Sequence, residues 1–323
     1  MRSIALREAI REAMSEEMRR DERVLLMGEE VAEYNGAYKV SQGMLAEFGA
    51  KRVIDTPISE LGFTAVAVGA AQNGLRPIVE FMTWNFAVLP LDQILNTASK
   101  MLAMSGGQIG CPIVMRGPNG SAGQLGAQHS TAFESYLANI PGIKVVSISN
   151  GYDAKGLLLA AIEDPNPIIY FEHKYLYRSL IGPVPEGFYI VEIGKANVLK
   201  EGQQLAIITY GLGVHWALDY LKANPQIAAT VIDLVSLQPW DKATVEAAVK
   251  ATGRVLILHE DTLSSGFGAE ISAWISEHCF EYLDAPVMRC ASLDTAIPMS
   301  KVLEDDFLAK ARLEKTIEKL ISY

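Results

Sequence analysis

The chain has 323 residues, half of them hydrophobic and a fifth charged, with a formal net charge of −10. That length allows two domains, each with a core of its own, and the acidic balance with no basic run excludes a surface built to neutralise a nucleic-acid backbone. Cys111, Cys279 and Cys290 are odd in number and lack CxxC spacing, which points away from a disulfide framework or a zinc site and toward a reducing cytoplasm. Charges interrupt the apolar positions of the first 22 residues, so no secretory signal is read there. No apolar run approaches the ~20 residues of a membrane-spanning helix, and a soluble protein is expected.

In chain order, Ser3 reads as the cap of a helix whose apolar residues Leu6, Ala9, Ile10, Ala13, Met14 and Met18 fall three and four apart. Strands are then predicted at Val24–Met27, Val53–Asp55, Pro77–Phe81 and Pro112–Arg116, with an Ala-rich helix over Leu61–Leu75. Lys144–Ile148, a helix over Tyr152–Ile162 and Pro167–Phe171 continue the alternation, which argues for parallel strands covered by helices. The stretch 178–202, with Pro183 and Pro185, reads as irregular. A second alternating unit follows: strands Leu205–Tyr210, Ala228–Leu234, Val255–His259 and Pro286–Cys290, and helices Val214–Ala223, Lys242–Thr252, Gly268–Cys279 and Leu308–Ser322.

Glu60 lies among Ile58, Leu61 and Phe63, where a strand gives way to a helix. Desolvation there would raise its pKa toward neutrality, where a carboxyl group both gives and takes a proton; an acid at that position also simply suits a helix dipole. Phe81, Trp84 and Phe86 follow a strand and offer either a shelf for a flat ring or a packed strand end. The glycine-rich loop 116–130 carries His129, a candidate acid near neutral pH or a hydrogen-bonded structural residue. Asp164 and Asn166 follow the outward carbonyls of a helix end, an arrangement able to surround a monovalent cation or to make a plain turn. Gly211 and Gly213, with Asp233 about twenty residues on, imitate a dinucleotide fingerprint, but Trp216 stands where a third small residue belongs. The chain has no P-loop lysine motif, HExxH or GxSxG, and no GDG followed by Asn-Asn, the pattern with which self-sufficient thiamin enzymes hold metal and diphosphate.

Segments 28–43, 52–63, 74–86, 115–130 and 141–167 resemble, in order and spacing, the beta subunits of the decarboxylating component of 2-oxo acid dehydrogenases. The likeness is strongest to the pyruvate enzymes, weaker to the branched-chain and acetoin enzymes, and distant to transketolase. It implies an α/β chain: a thiamin-diphosphate-binding, pyrimidine-type parallel-sheet domain over 1–185, a linker over 186–202, and a smaller transketolase C-terminal-like domain over 203–323.

By the same resemblance, Glu60 faces the aminopyrimidine ring of thiamin diphosphate and passes it a proton. Phe86 stacks on that ring, Met82 and Tyr34 line the pocket, and His129 serves substrate handling and acyl transfer to lipoyl groups. Ile113, Ala161, Ile162, Asp164 and Asn166 hold a structural potassium ion. The AQHS wording at 127–130 favours pyruvate, while Leu89-Pro90 departs from the polar stretch expected after Phe86. An alpha subunit is expected to hold the diphosphate and its magnesium within a two-alpha, two-beta assembly that serves a dihydrolipoamide acetyltransferase core, with Asp294 and the Tyr323 carboxylate as candidate contacts to that core. The readings from other classes are a non-catalytic docking subunit and a nucleotide-binding oxidoreductase built on the Gly211 loop.

Overall fold

The computed structural model, which describes residues 2–323, turns the aliphatic runs of the first half into six parallel strands. After the short strand β1 (Arg2–Ala5) come β2 (Val24–Gly28), β3 (Val53–Asp55), β4 (Arg76–Glu80), β5 (Val114–Asn119), β6 (Lys144–Ser147) and β7 (Ile168–His173). Their spatial order is β6-β7-β5-β4-β2-β3. β5 and β7 are buried along their whole length, as strands covered by helices on both faces must be. The helix Leu6–Arg20 packs its apolar stripe against the helix Gly151–Glu163. Each large side chain buried in that stripe contributes about 1.5–3 kcal/mol.

By contact, the residues up to Asn119 together with Tyr136–Ile193 form one unit, and Gly120–Ser135 together with Gly194–Tyr323 form the other. The second unit contains β9 (Asn197–Lys200), β10 (Leu205–Thr209), β11 (Ala229–Asp233), β12 (Ser236–Gln238), β13 (Val255–Thr262) and β14 (Met288–Ser292). Its sheet runs β14-β13-β10-β11-β9, parallel except for the antiparallel edge strand β9. Among the described residues no helix is long and apolar enough to cross a membrane.

Three expectations are corrected. Ser3 does not cap a helix: it pairs with Pro183 across β1 and β8 (Ile181–Val184), and the helix starts at Leu6, where the Glu8 carboxylate accepts the Ala5 amide. Pairing satisfies the backbone of residues 2–5 over several bonds, which outweighs a single cap. The stretch read as irregular supplies two strands, β8 and β9, because edge strands tolerate proline and short length. The helix predicted over 308–322 is divided into a 3₁₀ turn, Ala309–Arg312, and a helix, Leu313–Ile321.

Candidate active site

Three strand ends and one helix start in the first unit carry the chemistry. β2 ends at Gly28, where a Cβ would stand 2.4 Å from the Glu80 carbonyl oxygen, so only glycine lets the ends of β2 and β4 approach. The chain then turns into Glu29, which is buried. At the end of β3, the Asp55 carboxylate accepts the amides of Ala32 at 2.7 Å and Glu33 at 3.0 Å, fixing the loop that follows Glu29. The Thr56 amide donates to the Gly28 carbonyl at 2.9 Å, and four residues later the helix Glu60–Gln72 opens on a buried Glu60.

The result is a carboxyl pair. Burial pushes Glu29 up to about 7, assisted by the charge of Glu60 and by the hydrogen bond between the two side chains. Two carboxyl groups in contact cannot both be charged cheaply, so the pair retains one proton near neutral pH. Oε1 of Glu29 is buried without a partner. Such an arrangement can accept a proton and return it without help from solvent.

The surroundings of Glu60 differ from the sequence expectation. Phe63 is buried, but Ile58 is 86 % exposed and Leu61 is 49 % exposed, so these two do not fold over the acid. Of the three aromatics after β4, two belong to the core: Phe81 lies 5.2 Å from Trp84, and Trp84 lies 4.7 Å from Phe171, ring centre to ring centre. Phe86 is half-buried on the turn Trp84–Val88, and Met82 is also half-buried. Tyr34 is 56 % exposed, with the Lys39 ammonium 3.3 Å from its ring centre. Val88 and Leu89 are exposed beside them in sequence.

His129 is exposed at the end of a 3₁₀ turn, Ala127–His129, and belongs to the second unit. The expected cation ligands surround the end of the helix Gly151–Glu163. Arg76 Nη1 donates to the carbonyls of Ile162 at 2.6 Å and Asp164 at 3.3 Å. The Asp164 carboxylate accepts the Lys144 ammonium and the Asn166 amide, and the Ile113 carbonyl accepts the Ile168 amide. The protein thus brings two cations of its own to a helix end that attracts positive charge.

Two features escaped the sequence reading. Glu29 is one; its only local signal is an acid following a strand-ending glycine. The other is a buried cluster at the ends of β4, β5 and β7, where Arg116, 0 % exposed, donates to Glu80 and, through two nitrogens, to Glu172. Tyr177 also donates to Glu172, at 2.7 Å. Burial raises the Glu80 pKa although Arg116 opposes it; for Arg116, burial is outweighed by the two carboxylates, which keep it charged.

The fingerprint-like turn of the second unit has a packing role. A Cβ on Gly213 would meet Thr209 Oγ1 at 2.3 Å, and Trp216 is buried. Asp294 is exposed and accepts the Ser264 amide and hydroxyl at 2.9 and 2.6 Å, which lowers its pKa; Tyr323 is exposed. Among the described residues no group of three or more His, Cys, Asp or Glu side chains is arranged to hold a metal.

Residues 2–179 match the family described as transketolase, pyrimidine binding domain, and residues 194–312 match transketolase, C-terminal domain. A protein of Rhizobium meliloti named pyruvate dehydrogenase E1 component subunit beta is 48% identical over 94% of this chain, which spans 66% of that protein's length. One of Rickettsia bellii with the same name is 49% identical over 93% of both chains. Among solved structures, a split-gene transketolase described as an inactive beta4 tetramer superposes with a TM-score of 0.79 at 21% identity, covering 99% of both chains. Transketolase from Leishmania mexicana gives 0.71 at 16% identity, covering this whole chain and 46% of the other. The chain belongs to the family of pyruvate dehydrogenase E1 component beta subunits, built from a transketolase pyrimidine-binding domain and a transketolase C-terminal domain.

Proposed function

We propose that this chain is the beta half of an enzyme that oxidatively decarboxylates pyruvate with thiamin diphosphate, works only with an alpha subunit, and passes the acetyl group to lipoyl chains of an acetyltransferase core. The observation that carries the reading is the buried Glu29–Glu60 pair, which holds a proton at the carboxyl ends of a parallel sheet, where ligands of such sheets bind. The unpartnered Oε1 of Glu29 and the exposed apolar side chains of Ile58 and Leu61 suit an aminopyrimidine ring and a second chain closing over it.

When bound, thiamin diphosphate supplies the nucleophilic carbon and takes up the electrons of the broken carbon–carbon bond. Glu60 would hold the aminopyrimidine end of the cofactor and exchange a proton with it, while Glu29 would hold the second position of the shared proton. Phe86 offers a face for stacking, and Met82 and Tyr34 line the pocket. His129 handles the substrate and the lipoyl acceptor from its exposed place on the second unit. Magnesium and the diphosphate are left to the alpha subunit. The buried free thiols Cys111, Cys279 and Cys290 suit a reducing, cytoplasmic setting.

The test is co-purification with the alpha subunit followed by carbon dioxide release from pyruvate, 2-oxobutanoate and branched 2-oxo acids. Pyruvate is expected to lead in the complex, with no release from this chain alone. A branched substrate in the lead would replace pyruvate in the reading, and thiamin diphosphate affinity unchanged by omitting this chain would favour a docking subunit.

A structural potassium ion belongs to this reading, and it would share the helix end with Arg76 and Lys144, which already meet part of its negative charge. Each carbonyl keeps a second lone pair beside any bond it makes, so Ile113, Ala161 and Ile162, through backbone oxygens, with Asp164 and Asn166, would hold the ion alongside Arg76. Potassium at a hundred times its Kd is then expected to stabilise the fold by roughly 2.7 kcal/mol. Melting in potassium against a large organic cation checks this. Arg76→Met should lower the potassium concentration needed, and a melting temperature indifferent to potassium in both proteins would remove the ion from the reading.

A further inference from the structure

The loop that carries His129 is tied to the rest of its unit by acids far away in sequence. The Ser121 amide donates to Glu260 Oε1 at 2.7 Å, the Ser121 hydroxyl donates to Glu304, and the Gln124 amide donates to Glu304 Oε2 at 2.6 Å. Both acids are buried, Glu260 on β13 and Glu304 on the helix Lys301–Phe307. Gln124 has φ of 59°, a conformation that residues other than glycine rarely adopt, and its amide is one of the three donors.

A cavity of about 160 Å³ borders the loop, lined by Ala127, Ser130 and Thr131 together with Glu260, Asp261 and Phe307. A loop that borders a cavity gains less position from packing, so polar tethers help to fix it. Glu304 offers one carboxyl oxygen to the Ser121 hydroxyl and the other to the Gln124 amide, which suits it to this task.

We infer that Glu304, seconded by Glu260, is a positioning residue that clamps the 121–124 segment and thereby sets the place of His129. This rests on the reading of His129 given above. Its chemical content is that the acids touch neither substrate nor cofactor and act only through the loop.

The test uses the assembled complex with its alpha subunit, pyruvate and a lipoyl acceptor. Glu304→Ala is expected to lower kcat for lipoyl acetylation by ~10- to 100-fold, the range set by misplacing a reacting group by about an ångström, with KM for pyruvate unchanged. Hydrogen exchange should quicken at the Gln124 amide, which loses its acceptor, while the amides of β10 keep their protection. In His129→Ala, adding Glu304→Ala should cost nothing further. Losses that multiply in the double variant, or exchange unchanged at the Gln124 amide, would overturn the clamp. Full activity of His129→Ala would overturn the role of the histidine, while the exchange data would still decide whether Glu304 holds the loop. Should Glu304→Ala fail to fold, Glu304→Gln keeps one acceptor oxygen and is expected to give a smaller loss in the same direction. Equal activity and equal exchange in that variant would reject the proposal.

Discussion

Glu60→Gln is expected to slow carbon dioxide release from pyruvate by ~10² or more in the complex with the alpha subunit, the usual cost of losing an acid–base group. Glutamine keeps the volume and the hydrogen-bonding ability of the side chain at this buried helix start but can neither take nor return the proton. Full activity would falsify the role of Glu60. Glu29→Gln should act differently, by removing the limb of the pH–rate profile that reports the pair near pH 7.

The sign for stability follows from the same shift. Folded Glu29 holds its proton more tightly than an unfolded glutamate of ordinary pKa 4.5, so its stabilising contribution is complete below about pH 4.5 and fades as the pH rises through about 7. Glu29→Gln should therefore flatten the melting temperature between those limits.

Arg116→Met should produce the largest loss of stability. The guanidinium is fully buried between Glu80 and Glu172, and its removal leaves two acids without their cation, at a cost of about 3–5 kcal/mol. In a chain of this size that lowers the melting temperature on the order of 10 °C. Arg116→Lys should recover only part, because an ammonium cannot repeat the two-nitrogen grip on Glu172. Replacing all three side chains by apolar residues of similar volume is expected to cost far less than Arg116→Met. A melting curve unmoved by Arg116→Met would show that the cluster contributes nothing.

Strands β2 to β7, β10, β11, β13 and β14 were legible because each is a short aliphatic run closed by polar or small residues, whereas β1, β8, β9 and β12 carry no such run; Val53–Asp55 and the helix Lys242–Thr252 lie where they were expected. Glu60 was legible as an acid at a strand-to-helix passage. Glu29 was not, since its meaning comes from a neighbour about thirty residues away and a single chain of letters carries no distances. The same holds for Glu304, which meets the loop 180 residues upstream, and for Arg116, which reads as the start of a glycine-rich loop until Glu80 and Glu172 close around it. Ser3 misled because a local cap signal says nothing about a strand partner at 181–184. Phe81 and Trp84 could not be told from Phe86 by spacing alone, because all three follow the same strand and only packing separates core rings from a half-buried one.

The second unit receives Gly120–Ser135 out of the middle of the first, so the backbone passes between the units three times, after residues 119, 135 and 193. No single scission can therefore part them. A fragment beginning at Gly194 would lack the histidine segment, and its complement would carry that segment as a stray insertion without its native anchors. Grafting the second unit onto another scaffold would need two separate stretches transplanted in register, which makes the two units a poor pair for modular exchange.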